Sequence, residues 1–227
     1  MKKKYYLYKM NKNVIYIYPL LLLVLCSLIF FLIYQSKCSE VLENNINLSL
    51  ILIIPYCILH ELLHSLSYVI HGAKFKNITY GIVLEEGVMC CLCKQNITKK
   101  NILFSLLYPF VFISIVTSII GIIFNIPVLV ILSLFNVVGC SGDLVMFYDI
   151  VKLKDIEYSE YDDPTSFGLY TKNDLSKKKM LGLDYLGTKE KLEIKDLRKI
   201  YISKMSFIIL IIFAIMSIIE IVDMIIK

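Results

Sequence analysis

The sequence predicts an all-α membrane protein that crosses the bilayer several times. Hydrophobic residues make up 58% of its 227 residues, and the mean hydropathy of +0.72 is well above that of a typical soluble domain. The apolar residues collect in about five stretches of roughly 20 residues, the length of a transmembrane helix. We therefore expect a polytopic helical bundle with one small β-hairpin at a membrane face.

The predicted spans divide the chain into a membrane core and a polar segment. They cover residues 14–34, 46–71, 102–124 and 128–148, with a fifth transmembrane helix over residues 206–227. Residues 1–148 would form the core, and residues 149–205 a cytoplasmic segment of mixed charge. Within residues 73–100, two strand-like runs flank Glu85-Glu86-Gly87 and predict the hairpin.

The distribution of basic residues predicts the orientation of these helices. Residues 1–13, 72–101 and 149–205 together hold 22 of the 24 Lys and Arg residues. Basic residues collect on the cytoplasmic side of a membrane, and five crossings put these three segments on one side. We therefore expect a multi-pass cell-membrane protein with a cytoplasmic N-terminus and an external C-terminus.

The second span contains a His-Glu-x-x-His motif, His60-Glu61-Leu62-Leu63-His64. On a helix, His60 and His64 are one turn apart on the same face, so both can bind one metal ion. In zinc hydrolases with this motif the glutamate, here Glu61, does not bind the metal but takes a proton from metal-bound water. Ionisable side chains are costly in a bilayer, which favours a functional site over two buried histidines without a metal.

A hydrolytic zinc site needs a third protein ligand. Asp143 is the stronger candidate, because its helix and the helix of His60 are expected to run in the same direction and to hold the two residues at nearly the same depth. His71 is the alternative. Along a continuous helix, however, His71 would lie about 16 Å from His60, which is too far for one metal ion.

Other patterns exclude several classes of protein. Three histidines are too few for a histidine-box di-iron enzyme, and the phosphate-binding and serine-nucleophile motifs are missing from the sequence. The seven scattered cysteines do not predict structural disulfides. Cys90, Cys91 and Cys93 could bind a second metal, although no partner pair of ligands is evident. We expect no nucleic-acid partner.

These motifs resemble the site-two protease family of intramembrane zinc metalloproteases. That family has HExxH in one membrane helix and an aspartate, preceded by an asparagine, in a later helix. The resemblance implies a set of roles: zinc ligands at His60, His64 and Asp143, a catalytic base at Glu61, and a polar group near the substrate or intermediate at Asn136. Tyr108-Pro109 resembles the Gly-Pro segment of the family.

The chain departs from the site-two protease pattern at two places. Gly139 stands where that family has a proline, and Gly142-Asp143 stands where it has Asp-Gly. A bacterial family of zincin-type membrane peptidases is more similar, over roughly residues 50–170. It shares HELLH and three further elements: Cys91-Leu92-Cys93-Lys94, Gly142-Asp143, and Asp163-Pro164 followed by Gly168-Leu169-Tyr170.

The expected function is therefore that of a zinc-dependent endopeptidase. It would hydrolyse a peptide bond within or near the membrane, with zinc-bound water activated by Glu61 and the active site towards the cytoplasmic side. The expected partners are a peptide or membrane-protein substrate and the lipid bilayer. Two alternatives remain: a non-catalytic membrane scaffold with a structural metal site, and a membrane zinc hydrolase with a non-peptide substrate.

Overall fold

The computed structural model describes residues 2–11, 13–83, 88–160 and 166–191, and it shows a mixed α and β protein. A five-stranded antiparallel sheet and a separate two-stranded sheet accompany the helices. The prediction of an all-α polytopic fold is therefore wrong. Its error lies in residues 4–10 and 157–189, which contain strands and not only polar connecting segments.

All the helices in the described ranges precede residue 152. The α-helices are α1 (Tyr18–Tyr34), α2 (Cys38–Ile70), α3 (Lys99–Pro109), α4 (Thr117–Ile123), α5 (Pro127–Gly139) and α6 (Ser141–Val151). There are also π-helical segments at Asn13–Ile17 and Phe110–Val116 and short 3₁₀ helices at Gln35–Lys37 and Phe75–Asn77. The strands are β1 (Lys4–Met10), β2 (Ile78–Val83), β3 (Val88–Cys93), β4 (Ile97–Thr98), β5 (Glu157–Glu160), β6 (Ser166–Thr171) and β7 (Leu183–Lys189).

The N-terminal strand lies inside the larger sheet, next to its β7 edge. The strand order is β4-β5-β6-β1-β7, so β1 pairs with β6 on one side and with β7 on the other. Tyr8 of β1 lies opposite Phe167 and Tyr185, with ring centroids at 6.3 and 5.7 Å. Because both partner strands lie far along the chain, the local pattern of residues 1–13 suggested only a basic tail.

The sheet packs against the ends of three helices through one apolar core. This core combines side chains from the sheet and from α2, α3 and α6, including Tyr8, Phe167, Leu169, Tyr68, Ile102 and Ile150. Full burial of a large apolar side chain contributes about 1.5–3 kcal/mol. The core therefore ties the sheet firmly to α2 and α6, the two helices that carry the predicted metal ligands.

The hairpin predicted within residues 73–100 is confirmed as a pair of strands. β2 and β3 pair antiparallel, with Tyr80 opposite Cys91. The two form a sheet of their own, and β3 contacts α2. Cys91 and Cys93 are both buried in the main core, as expected for residues on the same face of a strand.

The number of spans differs from the prediction. Within the described ranges, two helical stretches are long and apolar enough to cross a membrane, Tyr18–Ile70 and Lys99–Ile123. The pair α5 and α6 would add a third if it counts as one span, and it is bent by 49°. The predicted helix over residues 128–148 is thus broken after Gly139. The predicted fifth helix, residues 206–227, lies outside the described residues.

The bend between α5 and α6 determines where Asp143 lies. α5 ends at Gly139, Cys140 stands between the two helices, and α6 begins at Ser141. Asp143 therefore falls in the first turn of α6. A carboxylate is favoured in that turn, because the first N–H groups of a helix carry partial positive charge.

Candidate metal centre

Helix α2 presents two imidazoles side by side. His60 and His64 are separated by one turn, and their Nε2 atoms are 3.1 Å apart. The two rings meet edge to face, with centroids at 4.8 Å. Both ring nitrogens that face one another are therefore available to the same small ion.

Asp143 of α6 completes a group of three. Its Oδ2 lies 3.3 Å from Nε2 of His60 and 3.4 Å from Nε2 of His64. This oxygen is buried and accepts no hydrogen bond from the described part of the chain. A buried carboxylate oxygen is normally satisfied by a donor or a cation, so its environment suits a positively charged partner.

The spacing of the three atoms fits a zinc ion. Zinc bonds of about 2.0–2.1 Å at tetrahedral angles separate neighbouring ligand atoms by about 3.3 Å. The observed separations of 3.1, 3.3 and 3.4 Å match one face of such a tetrahedron. Two imidazoles and one carboxylate are also ligands that zinc commonly takes in hydrolases. The described residues therefore include a group that could hold a metal ion, His60, His64 and Asp143.

The other ring nitrogen of each histidine is held by an oxygen atom. Nδ1 of His64 is 2.9 Å from the main-chain oxygen of Ser105, and Nδ1 of His60 is 2.9 Å from Oδ1 of Asn136. A carbonyl oxygen only accepts hydrogen bonds, so both Nδ1 atoms carry the proton. In the neutral imidazoles, each Nε2 then has a free lone pair directed at Asp143, as a metal ligand requires.

Asn136 is enclosed by partners on every side. It is buried in α5, and its Nδ2 lies 3.1 Å from the main-chain oxygen of Pro109 and 2.9 Å from Oγ of Ser114. Its Oδ1 is used by His60. This placement favours orientation of His60 over the contact with substrate that the sequence suggested.

Glu61 lies beside the group of three without joining it. Its side chain is buried, and the main chain of Cys91 in β3 hydrogen-bonds to its carboxylate. A carboxylate can only accept from the backbone here, so the donor is the N–H of Cys91. The hairpin thus approaches α2 at the residue that the motif marks as the base.

The alternative ligands lie elsewhere. His71 directs Nδ1 to the main-chain oxygen of Ser67 at 2.8 Å and stacks on Phe104 with ring centroids at 4.9 Å. It does not belong to the metal-binding group. No second group of His, Cys, Asp or Glu of this kind is found among the described residues, so the hairpin cysteines do not form one there.

Three residues around the histidines were not assigned these contacts from the sequence. The main-chain oxygen of Ser105 accepts from His64, that of Pro109 accepts from Asn136, and Sγ of Cys140 is 4.0 Å from Nδ1 of His60. Main-chain acceptors leave little trace in sequence. The one available signal was the proline four residues after Ser105, because a proline has no N–H to bond the oxygen one turn before it.

Comparison with known proteins adds a family resemblance to this geometry. Residues 52–156 match the model of a family described as "Putative zincin peptidase". No curated protein and no solved structure matches the chain. The matched region contains both histidines, Glu61, Asn136 and Asp143. Over residues 52–156 the chain is therefore similar to zincin peptidases, which implies zinc as the metal and supports a zinc peptidase in general.

Proposed function

We propose that the protein is a zinc-dependent endopeptidase that cuts a peptide bond within or beside a membrane. The observation that carries this proposal is the group of three ligands with an unliganded carboxylate, Glu61, next to it. Structural zinc sites usually have four protein ligands, whereas catalytic sites have three and keep one position open. Three ligands in the described residues therefore support catalysis over a structural site.

Each residue of the site has a separate role in the proposed hydrolysis. His60, His64 and Asp143 would hold the ion, and zinc bound there would polarise the scissile carbonyl and acidify a water molecule. Glu61 accepts a proton from the attacking water, whose oxygen forms the new bond to the carbonyl carbon. Glu61 then gives this proton to the leaving amide nitrogen as the C–N bond breaks. The N–H of Cys91 orients the carboxylate for both transfers.

The hairpin offers an edge beside which a substrate peptide could bind in an extended conformation. β3 belongs to a sheet of two strands, so one of its edges does not pair with β2. Cys91 directs its N–H to Glu61, so this part of β3 lies against the proposed base. A peptide strand added beside β3 would pass close to Glu61 with its peptide bonds exposed. A helical substrate would have to unwind first, because its peptide groups are shielded.

The proposed setting is a cell membrane. The two apolar helical stretches, Tyr18–Ile70 and Lys99–Ile123, support it, as does the concentration of basic residues in segments 1–13, 72–101 and 149–205. We propose that these three segments face the cytoplasm, with the active site towards that side. A relationship to site-two proteases would be consistent with this setting.

Cysteine labelling in intact cells tests the setting. Lys177→Cys and Ser36→Cys are both at exposed positions, before β7 and between α1 and α2. A membrane-impermeant maleimide should label the second variant above the parent protein and reach the first only after the cells are opened. The reverse pattern would contradict the proposed orientation. Equal labelling of both variants in intact cells would contradict the proposal that a membrane separates the two positions.

The substitution Glu61→Gln tests the proposed reaction. The amide has nearly the shape of the carboxylate but cannot accept the proton, and loss of a general base commonly costs about 100- to 10,000-fold in rate. Bound zinc should stay near one per chain, while membrane-protein fragments present in wild-type cells should disappear. Glu43→Gln is the matched control, because Glu43 is exposed on the same helix. It should keep both zinc and fragments.

The outcome also separates the two alternatives. If Glu61→Gln keeps its zinc and gives the same fragments and phenotype as wild type, the peptidase proposal is wrong and a structural site is favoured. If no fragments occur in any strain but lipid composition differs between wild type and Glu61→Gln, the substrate is a lipid. The comparison uses membrane proteomes and lipid extracts of the same cells.

A further inference from the structure

We infer that Pro109 is a positioning residue for both histidines of the metal centre. It acts through two oxygen atoms: the main-chain oxygen of Ser105, which it leaves without its usual helical donor, and its own main-chain oxygen. The inference rests on the proposed metal site but not on any particular substrate. It concerns the direction of the two imidazole lone pairs.

The first effect follows from the missing N–H of proline. In an α-helix, the oxygen of each residue accepts from the N–H four residues later. For Ser105 in α3 this would be residue 109, which is a proline and has no N–H. The proline ring also pushes against that carbonyl group. The oxygen of Ser105 is thus available, and it accepts from Nδ1 of His64 at 2.9 Å.

The second effect runs through Asn136. The main-chain oxygen of Pro109 only accepts, and it lies 3.1 Å from one end of the Asn136 amide. That end must therefore be the NH₂ group, Nδ2. The opposite end, Oδ1, then faces Nδ1 of His60 at 2.9 Å and requires the proton to be on that nitrogen. Pro109 thereby fixes the amide, and the amide fixes His60.

Both effects lead to the same result at the two histidines. Each Nδ1 is a donor, so each Nε2 has a free lone pair, and both Nε2 atoms lie within 3.4 Å of Oδ2 of Asp143. Main-chain oxygens are well suited to this task because the helix itself holds them in place. The hydroxyl of Ser105 is a weaker candidate for His64, since its Oγ is 3.4 Å from Nδ1.

The helix changes its hydrogen-bond pattern at the same place. α3 ends at Pro109, and the π-helical segment Phe110–Val116 follows directly. Ser114, the second acceptor for Nδ2 of Asn136, lies within that segment. Wider π turns are often found at functional sites. The segment around Pro109 therefore supplies acceptors to His64 of α2 and to Asn136 of α5.

The substitution Pro109→Ala tests the inference. Alanine restores an N–H at position 109, which should bond to the oxygen of Ser105 and compete with His64. We expect zinc affinity, measured by chelator competition on purified protein, to fall about 10- to 100-fold, as for loss of an outer hydrogen bond to a ligand. Thermal stability of the metal-free protein should stay or rise, because alanine is favoured inside a helix. A merely structural proline would give the opposite pattern.

Nitrogen NMR of labelled histidine gives a second readout that does not depend on zinc. The chain has only three histidines, so their signals can be assigned by substitution. In the metal-free wild type, His60 and His64 should both be Nδ1-protonated tautomers. In Pro109→Ala, the Nε2-protonated tautomer of His64 should increase. Pro127→Ala is the control, because it removes a proline at the start of α5 and should change neither readout.

Two results would overturn the inference. One is a Pro109→Ala protein with wild-type zinc affinity and wild-type tautomers. The other is a Ser105→Ala protein that loses as much affinity as Pro109→Ala, because that would assign the role to the hydroxyl and not to the main-chain oxygen. Failure of the proposed peptidase function is a separate result, since it is measured with Glu61→Gln and needs no change in zinc affinity.

Discussion

The carboxylate of Asp149 accepts a hydrogen bond of 3.0 Å from the main-chain N–H of Gly182. Its second oxygen accepts from the N–H of Leu181 at 2.9 Å. Asp149 is buried in α6, less than two turns after Asp143, and the two N–H groups lie just ahead of β7. The larger sheet is therefore tied to the helix that carries the third metal ligand.

Asp149→Asn should lower the stability of this connection. The asparagine side chain has one acceptor and one donor group, so one of the two N–H groups would face an NH₂ and lose its partner. An unsatisfied buried donor costs about 1–3 kcal/mol. We expect a lower thermal unfolding midpoint and faster limited proteolysis within residues 172–191.

The matched control for this prediction is Asp184→Asn, at an exposed position in β7. It makes the same chemical change and should leave both measurements close to wild type. If Asp149→Asn also leaves them unchanged, the two hydrogen bonds do not hold the sheet to α6.

Local sequence features predicted the parts of the site that are local in the chain. The one-turn spacing of His60 and His64 is a property of any helix, so it could be read directly from the motif. Asp143 comes from another helix, and it was suggested by the estimate of equal depth together with the family resemblance. The hairpin could also be predicted, because its two strand-like runs lie close together in the sequence.

The five-stranded sheet could not be predicted from the local sequence, and the reason is physical. Lys4-Tyr5-Tyr6-Leu7-Tyr8-Lys9-Met10 alternates too weakly to mark a strand by itself, and its stability comes from β6 and β7. These partners lie beyond all the described helices. Its basic residues instead suggested a cytoplasmic tail. The main-chain acceptors of the site were missed for a related reason, since every residue has a carbonyl group.

Asp143→Asn should weaken metal binding more than a change outside the ligand group. The amide oxygen is a poorer ligand than a carboxylate oxygen and has no charge to balance the ion. Loss of an outer hydrogen bond costs about 10- to 100-fold in affinity, so loss of a charged ligand should exceed that range. His60→Ala and His64→Ala should likewise reduce zinc below one per chain, as measured by metal analysis of purified protein.

His71→Ala is the control for these variants. His71 lies in the same region of the chain but outside the group of three, stacked on Phe104. Its zinc content should equal that of wild type. Stoichiometric zinc in Asp143→Asn together with loss of zinc in His71→Ala would reverse the assignment of the third ligand.

Gly121→Ala should destabilise the contact between α4 and α5. A Cβ at this position would lie 2.9 Å from Cγ2 of Val130 and 3.1 Å from the main-chain oxygen of Ile126. Overpacking of this kind typically costs about 1–3 kcal/mol. Gly139→Ala is the control, because a Cβ there would meet nothing within 4 Å. Thermal unfolding should show a loss for Gly121→Ala only, and equal midpoints for both would contradict the tight contact.

Strand β1 should make the free energy of unfolding depend on alkaline pH through Tyr8. Its side chain is buried, its hydroxyl donates to the main-chain oxygen of Leu175 at 2.9 Å, and burial raises its pKa to about 12. An unfolded tyrosine titrates near pH 10. Between pH 10 and 12 the unfolded chain therefore releases this proton while the folded protein keeps it, so the free energy of unfolding falls as pH rises.

Tyr8→Phe should remove this part of the pH dependence. At neutral pH the variant loses the hydrogen bond to Leu175 and about 1 kcal/mol of stability. From pH 10 to 12 its stability should fall less steeply than that of wild type, because phenylalanine has no proton to release. Tyr16→Phe is the matched control, because it also removes one tyrosine hydroxyl but at a side chain that is 68% exposed. Its pH dependence should follow that of wild type. Parallel curves for wild type and Tyr8→Phe across this range would show that Tyr8 titrates alike in the folded and unfolded chains, and would contradict its burial between β6 and β7.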